Sequence, residues 1–225
     1  IIPFHRTTVP GIGERIVLHH FWVECRTCDV CETTFEIHPH YQLAYSKEKG
    51  LQWVFCMNCH EVSELPITSK EIRCGCGTRT HVAQGTLYKG KVRCPGCNDV
   101  SGLGDRGNAP VRPEWRLFAQ EYLEETPAGT TRHFKTVNKG DRIRYGRARS
   151  LLNKIEGSGN SFVPIRSIPT TGRSDQRPLI HGFTRYRDLF NDRQLLHLTL
   201  LGHAIAGVKA PKIRRLLAMA FSEHL

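Results

Sequence analysis

Nine cysteines lie between Cys25 and Cys97, and the rest of the chain, out to Leu225, contains none. They fall as Cys25-x-x-Cys28-x-x-Cys31, Cys56-x-x-Cys59, Cys74-x-Cys76 and Cys94-x-x-Cys97. Cysteines paired at short spacing, with the pairs themselves a hairpin's length apart, are the signature of tetrahedral zinc sites. Zinc takes four soft ligands at about 2.3 Å, and two tight turns supply two thiolates each. Between the turns the chain has to leave and return as antiparallel strands.

Read in sequence order, the turns predict two successive sites. Cys28, Cys31, Cys56 and Cys59 form the first, with two strand-like runs, Thr34–His38 with His40–Tyr45 and Leu51–Cys56, joined by the turn Lys47-Glu48-Lys49-Gly50. Cys74, Cys76, Cys94 and Cys97 form the second, around a hairpin turning at Lys89-Gly90-Lys91. The Cys74-Gly-Cys76-Gly turn is one residue short of the usual knuckle, and His81 stands as the substitute ligand should either thiol be unused. Cys25 reads as a spare thiol, with replacement of Cys28 as its alternative. His60 reads as a neighbour of the first site rather than a ligand. Four thiolates leave no open position for water, so the sites are expected to be structural, two zinc ions per chain.

Several other classes fit poorly. An odd cysteine count, no sign of a signal peptide and the Cys-x-x-Cys pairing argue against a secreted disulfide framework. A thioredoxin-like redox motif needs one Cys-x-x-Cys beside a βαβ pattern, not four clusters. No apolar run approaches ~18 residues, so no membrane partner is expected. The setting implied is reducing, intracellular and cytoplasmic. The formal charge is +11; each zinc held by four thiolates carries −2, which brings the chain to roughly +7. A polyanion, first of all nucleic acid, is the expected partner of so basic a chain.

The expected class is α+β: tandem small β zinc ribbons followed by a mainly helical basic region. Five segments follow: an N-terminal strand and extension (1–24), the tandem ribbons (25–104), a basic helical segment (105–156), a basic Gly/Ser/Pro loop (157–182) and a C-terminal helical hairpin (183–225). The chain opens on Ile1-Ile2-Pro3-Phe4 with no initiator methionine, as a piece cut from a longer one, or a processed chain, would. His19–Glu24 reads as a strand. After the glycine-rich 101–108, Pro110 and Pro113 start a new segment. Glu114–Glu125 reads as a short helix with Trp115, Phe118 and Tyr122 on one side. From Asp141 a helix is predicted, with Tyr145, Ala148, Leu152 and Ile155 as its apolar stripe and Arg142, Arg144, Arg147 and Arg149 around its other faces. Such arginines, with Lys154 and with Arg166 and Arg173 of the loop, suit phosphate contacts. Asn191 with Gln194 predicts a capped helix ended by Gly207, and Pro211 opens another.

Gly182-Phe-Thr184-Arg185-Tyr-Arg187-Asp188-Leu-Phe190-Asn-Asp-Arg193-Gln194-Leu195-Leu196 resembles the G-[IF]-T-x-x-x-D-L-F-x-x-R-Q-L-L segment of zinc-ribbon-containing, adenine-specific DNA methylases. Cysteine knuckles precede that segment in the family, as they do here, and Leu217–Ser222 is also similar. The match is close over Gly182–Leu196 and loose over most of the chain. The resemblance implies a prokaryotic S-adenosylmethionine-dependent DNA amino-methyltransferase (adenine-N6 or cytosine-N4), in restriction-modification or phage defence. It adds Arg185 and Arg187 to the candidate DNA contacts, and the alternative role for Arg185, Arg187 and Arg193 is to fix the interface with the catalytic domain. The sequence contains no Pro-Pro dipeptide, hence no Asp/Asn-Pro-Pro-aromatic motif, and no glycine-rich cofactor strand-loop. The chain is therefore expected to be the zinc-ribbon and target-recognition region. It would be inactive alone, with DNA and a catalytic domain or subunit as partners and S-adenosylmethionine bound only by the full enzyme. A stand-alone zinc-ribbon adaptor for protein or RNA is the alternative. A zinc hydrolase would need an open metal position, which His38-Pro39-His40 does not supply.

Overall fold

The computed structural model describes residues 2–105, 114–127, 129–159, 162–172, 175 and 177–223. It is α+β and divides into two compact units, Arg6–Lys139, and Ile1–His5 with Gly140–Leu225. No helix among the described residues is long and apolar enough to cross a membrane.

The first unit is all strand. β1 (Arg6–Val9) turns back into the long β2 (Gly13–Thr27), whose end pairs with β3 (Thr34–Glu36). β4 (Gln42–Ser46), β5 (Leu51–Phe55) and β6 (Val62–Pro66) form an antiparallel meander, and β7 (Glu71–Arg73) pairs with β8 (Arg79–His81). β9 (Leu87–Tyr88), β10 (Lys91–Arg93) and β11 (Val100–Gly102) make a second, smaller meander. The chain then returns to the first sheet as β12 (Glu114–Thr126) and β13 (Gly129–Thr136), giving the order β1-β2-β12-β13. The principal core lies between this sheet and the first meander, with Val23, Tyr41, Val54, Phe55, Ile72 and Phe118 at its centre. A smaller one, around Phe35, Ile37 and Val92, lies under the second meander.

β12 corrects the expected helix over Glu114–Glu125. Phe118 and Tyr122 are buried, but Trp115 is 44% exposed. Two register shifts against β2, at Leu117/Ala119 and Glu121/Tyr122, break the strand's alternation. Leu117–Tyr122 is buried without interruption, as in a strand covered on both faces. Continuous burial and bulges erase the period of two, so the aromatic spacing imitates a helix. Arg132, expected within the same basic helical region, lies on β13, where its guanidinium pairs with the buried carboxylate of Glu121.

The second unit is helical: α1 (Lys139–Gly157), α2 (Arg177–Ile180), α3 (Asp192–Ala206) and α4 (Pro211–Glu223). Ala148 and Leu152 of α1 pack with Val163, Leu195 and Leu196, joined by Phe4, Ile155 and Phe190. Asn191 caps α3 as expected, its side chain accepting from Gln194 N at 3.1 Å while Gln194 Oε1 accepts from Asn191 N at 2.9 Å. Gly207 ends α3. α4 contacts α3 but buries none of its described residues. Residues 162–172 form no regular helix or strand and meet the next segment in an isolated bridge at Ser167↔Arg185.

Candidate metal centres

Four turns carry the cysteine pairs, and each is closed by the same device. Cys28 N donates to Thr33 O and Glu32 N to Cys28 O, each at 3.0 Å. The turns at Cys56 and Cys94 repeat both bonds at the same offsets, to Glu61 and from His60, and to Asp99 and from Asn98. The residue after the second cysteine has positive φ in all four turns: Glu32, His60, Gly77 and Asn98. That left-handed step folds the thiol back toward its partner. The Cys74 turn is one residue tighter, with Cys74 N bonded to Thr78 O and Gly77 N to Cys74 O. The shorter Cys-Gly-Cys spacing therefore still gives a complete turn.

These turns bring together Cys28, Cys31, Cys94 and Cys97 in one cluster and Cys56, Cys59, Cys74 and Cys76 in the other, with the sulfurs of each within 4.8 Å of one another. Among the described residues they are the two groups able to hold a metal ion. All eight expected cysteines are used, but the successive pairing is corrected to a nested one. The inner site, with β4–β8, is inserted between the two halves of the outer site. Val62–Pro66 and Glu71–Arg73, strands lying between Cys59 and Cys74, are the signal that the sequence reading overlooked. The stretch from Cys59 to Cys74 is itself a ribbon's return, not a linker between ribbons.

Across the outer site, Cys28 and Cys97 Sγ lie 3.6 Å apart, as do Cys31 and Cys94. Across the inner site, Cys56–Cys76 is 3.6 Å and Cys59–Cys74 is 3.4 Å. A threonine two residues on lies 3.3 Å from one sulfur of each site, Thr33 by Cys31 and Thr78 by Cys76. These hydroxyl contacts, helped by backbone hydrogen bonds in the same turns, bring both thiols down to about 6. Asn58 N points at Cys56 Sγ (3.4 Å) and Gly96 N at Cys94 Sγ (3.3 Å). Donors aimed at sulfur offset the negative charge of a four-thiolate site. Gly96 also lets the outer turns close, since a Cβ there would stand 2.8 Å from Thr33 Oγ1.

A carboxylate lies beside the turns. Glu36, on β3, accepts from His60 Nε2 at 2.6 Å, His38 Nε2 at 3.1 Å and Arg116 at 3.0 Å. Burial alone would raise its pKa, but the hydrogen bonds and charges of the two histidines hold it down to about 2. His60 is the residue after Cys59, so this pairing ties the inner site's first turn to β3. His60 is thus a neighbour of the candidate metal site, and no local pattern pointed to Glu36 as its partner. His81 is not needed as a substitute ligand; its ring faces Glu71 at 3.7 Å. Cys25 lies on β2 outside both clusters, and burial pushes its thiol up to about 11.

The candidate DNA-contact residues separate into groups. Arg142, Arg147 and Lys154 are exposed on α1, and Arg166 and Arg185 are exposed near the Ser167 bridge. Arg144 is paired with buried Asp141, Arg149 with Asp192 at 3.0 Å and Arg187 with Glu156 at 2.6 Å. Those three arginines have positions within the fold of their own unit. Arg173 lies outside the described residues. Arg193 is 4% exposed, stands over the Tyr145 ring and donates to Phe4 O. Burial lowers it to about 10. Asp188 Oδ2 accepts from Arg185 N at 2.9 Å and from Thr184 N at 3.3 Å, closing the turn that leads into α3.

No family model, no curated protein and no solved structure matches this chain.

Proposed function

We propose that both clusters bind structural zinc and that the chain is the zinc-ribbon, DNA-binding target-recognition region of a prokaryotic S-adenosylmethionine-dependent DNA amino-methyltransferase, acting in the cytoplasm. For zinc, the support is the donor set: four sulfurs in a tetrahedron around an ion at about 2.3 Å stand about 3.8 Å apart. The cross-site distances of 3.4–3.6 Å fit that polyhedron with little adjustment. With four thiolates on each ion the coordination sphere is closed, and the metal's part is to hold the fold.

For the methyltransferase, the carrying observation is the segment Gly182–Leu196 following the cysteine turns. The residues that make this segment distinctive have local work that explains their pattern. Thr184 and Asp188 close a turn, Arg193 is buried over Tyr145, and Gln194 completes the cap of α3. Such a pattern preserves a fixed backbone rather than a catalytic group. This agrees with a positioning region that holds DNA while a catalytic domain or subunit flips and methylates the base. Arg142, Arg147, Lys154, Arg166 and Arg185 are its candidate phosphate contacts, since they are exposed and the chain is strongly basic.

The test is binding of the 225-residue chain to a mixed pool of short DNA duplexes across a salt series, together with transfer of labelled methyl groups. Affinity falling steeply with salt, with some duplexes enriched, and no methyl transfer by the chain alone are the expected results. No binding of duplex or single-stranded DNA at low salt would overturn the DNA reading, and robust transfer would overturn the division of labour. The adaptor reading keeps one observation in its favour: Ile213, Leu216, Leu217 and Met219 of α4 are exposed, a face suited to a protein partner. In the methyltransferase reading the same face meets the catalytic part.

A further inference from the structure

The outer face of the second meander is built unlike the rest of the first unit. On β10, Val92 is fully buried and anchors the smaller core, so Lys91 and Arg93 on either side of it stand on the opposite face. Tyr88 is directly across from Lys91 on β9, and Val100 is directly across from Arg93 on β11. Gly102, the other partner of Lys91, has no side chain, and the Asp105 carboxylate takes the space a Cβ would fill there, 2.5 Å from it. Tyr88 is 71% exposed, the highest among the exposed aromatic residues described. Lys89, held at positive φ in the hairpin turn, places its Nζ 5.2 Å from the centre of the Tyr88 ring. Lys89, Lys91 and Arg93 have no ion pair among the described residues, and the nearby Asp105 carboxylate is engaged by Gly102 N at 2.8 Å.

We infer that this face, with Tyr88 as stacking platform and Lys89, Lys91 and Arg93 as phosphate contacts, binds a single-stranded stretch of DNA. A flat aromatic ring ringed by unpaired cations on a small sheet is the chemistry that single strands use: bases stack on the ring and the backbone follows the charge. A duplex hides the faces of its bases and would use the cations alone. The face is tied to the outer cysteine cluster and to β2. Cys94 follows Arg93 directly, and Arg26 of β2 donates to Gly102 O (3.0 Å) and to Leu103 O. The inference rests on the DNA-binding reading proposed above and adds where, and in what form, the strand is held.

The experiment is fluorescence anisotropy with a labelled 12-nucleotide single strand, its duplex and the RNA of the same sequence, each across a salt series. Tyr88→Ala is expected to weaken single-strand binding by about 5- to 100-fold, while Tyr88→Phe stays close to the unmodified chain. Lys91→Gln with Arg93→Gln should reduce the salt slope for the single strand by about 1.4. Arg142→Ala with Arg147→Ala should leave the effect of Tyr88→Ala in place. Unchanged metal content shows that each variant is folded. Tyr88→Ala binding the single strand as the unmodified chain does, while DNA is still bound, would overturn the platform and leave the DNA reading standing. No binding of either DNA form by the unmodified chain would overturn both. Binding to RNA ten-fold tighter than to DNA would overturn the assignment to DNA.

Discussion

The inner and outer cysteine sites use the same turn but stand in different surroundings. Cys56 of the inner site is fully buried in the principal core, among Val54, Phe55 and Phe118. The outer site rests on a small cluster, with Phe35, Ile37 and Val92 around Cys28 and Cys94. With zinc bound as proposed, apolar packing and metal would together hold the inner site, while the outer one would rely far more on its metal. On the proposed reading the difference separates two jobs for one motif: the inner ribbon braces the sheet, and the outer ribbon presents a surface.

The largest expected effect tests the inner half of that contrast. Cys56→Ser should lose one metal per chain and strongly destabilise Arg6–Lys139, because metal binding to such sites carries about 10 kcal/mol of folding free energy. Cys25→Ser should keep both metals and lose about 1 kcal/mol. Elemental analysis and thermal unfolding check both, and equal effects would break the ligand assignment. Cys94→Ser sharpens the comparison. It should also lose one metal, but hydrogen exchange should rise in β9–β11 while β5 and β12 stay protected.

Next in size is Gly85→Ala, expected to destabilise by about 3 kcal/mol. A Cβ there would lie 1.9 Å from His38 O, which also accepts from Leu87 N at 3.0 Å. Denaturant midpoints measure it. Glu36→Gln should remove about 2 kcal/mol near pH 7, since charged hydrogen bonds to His38 and His60 are weakened. Because the folded-state pKa of Glu36 is held down to about 2, from 4.5, its contribution is complete above about pH 4.5. The gap between Glu36→Gln and the unmodified chain should therefore shrink as the pH falls from there toward 2. The smallest effect lies in the helical unit, where Asn191→Ala should cost about 1 kcal/mol through loss of the α3 cap.

The turns, the helix from Asp141, the Asn191 cap and the two C-terminal helices were legible in the sequence because each depends on neighbouring residues; the short α2 (Arg177–Ile180), within the segment read as a loop, was not. Cysteine spacing, the period of 3.6 and a capping pair are local signals. What was hidden depends on distant partners. Cys31–Cys56, Cys59–Cys74 and Cys76–Cys94 are all separations that a hairpin can span, so spacing alone did not choose nested over successive pairing. β12 was hidden because burial on both faces and two bulges replaced alternation with an apolar run. The arginines of α1 looked equivalent along the chain, yet Arg144 and Arg149 meet Asp141 and Asp192, and only the fold separates them from Arg142 and Arg147.

Nesting of the two sites is tested most directly by thiol alkylation mapped by mass spectrometry on the metal-loaded Cys28→Ser chain. The nested arrangement predicts that Cys31, Cys94 and Cys97 become reactive while Cys56, Cys59, Cys74 and Cys76 stay protected. Reactive Cys56 and Cys59 with protected Cys94 and Cys97 would contradict it and restore the successive pairing.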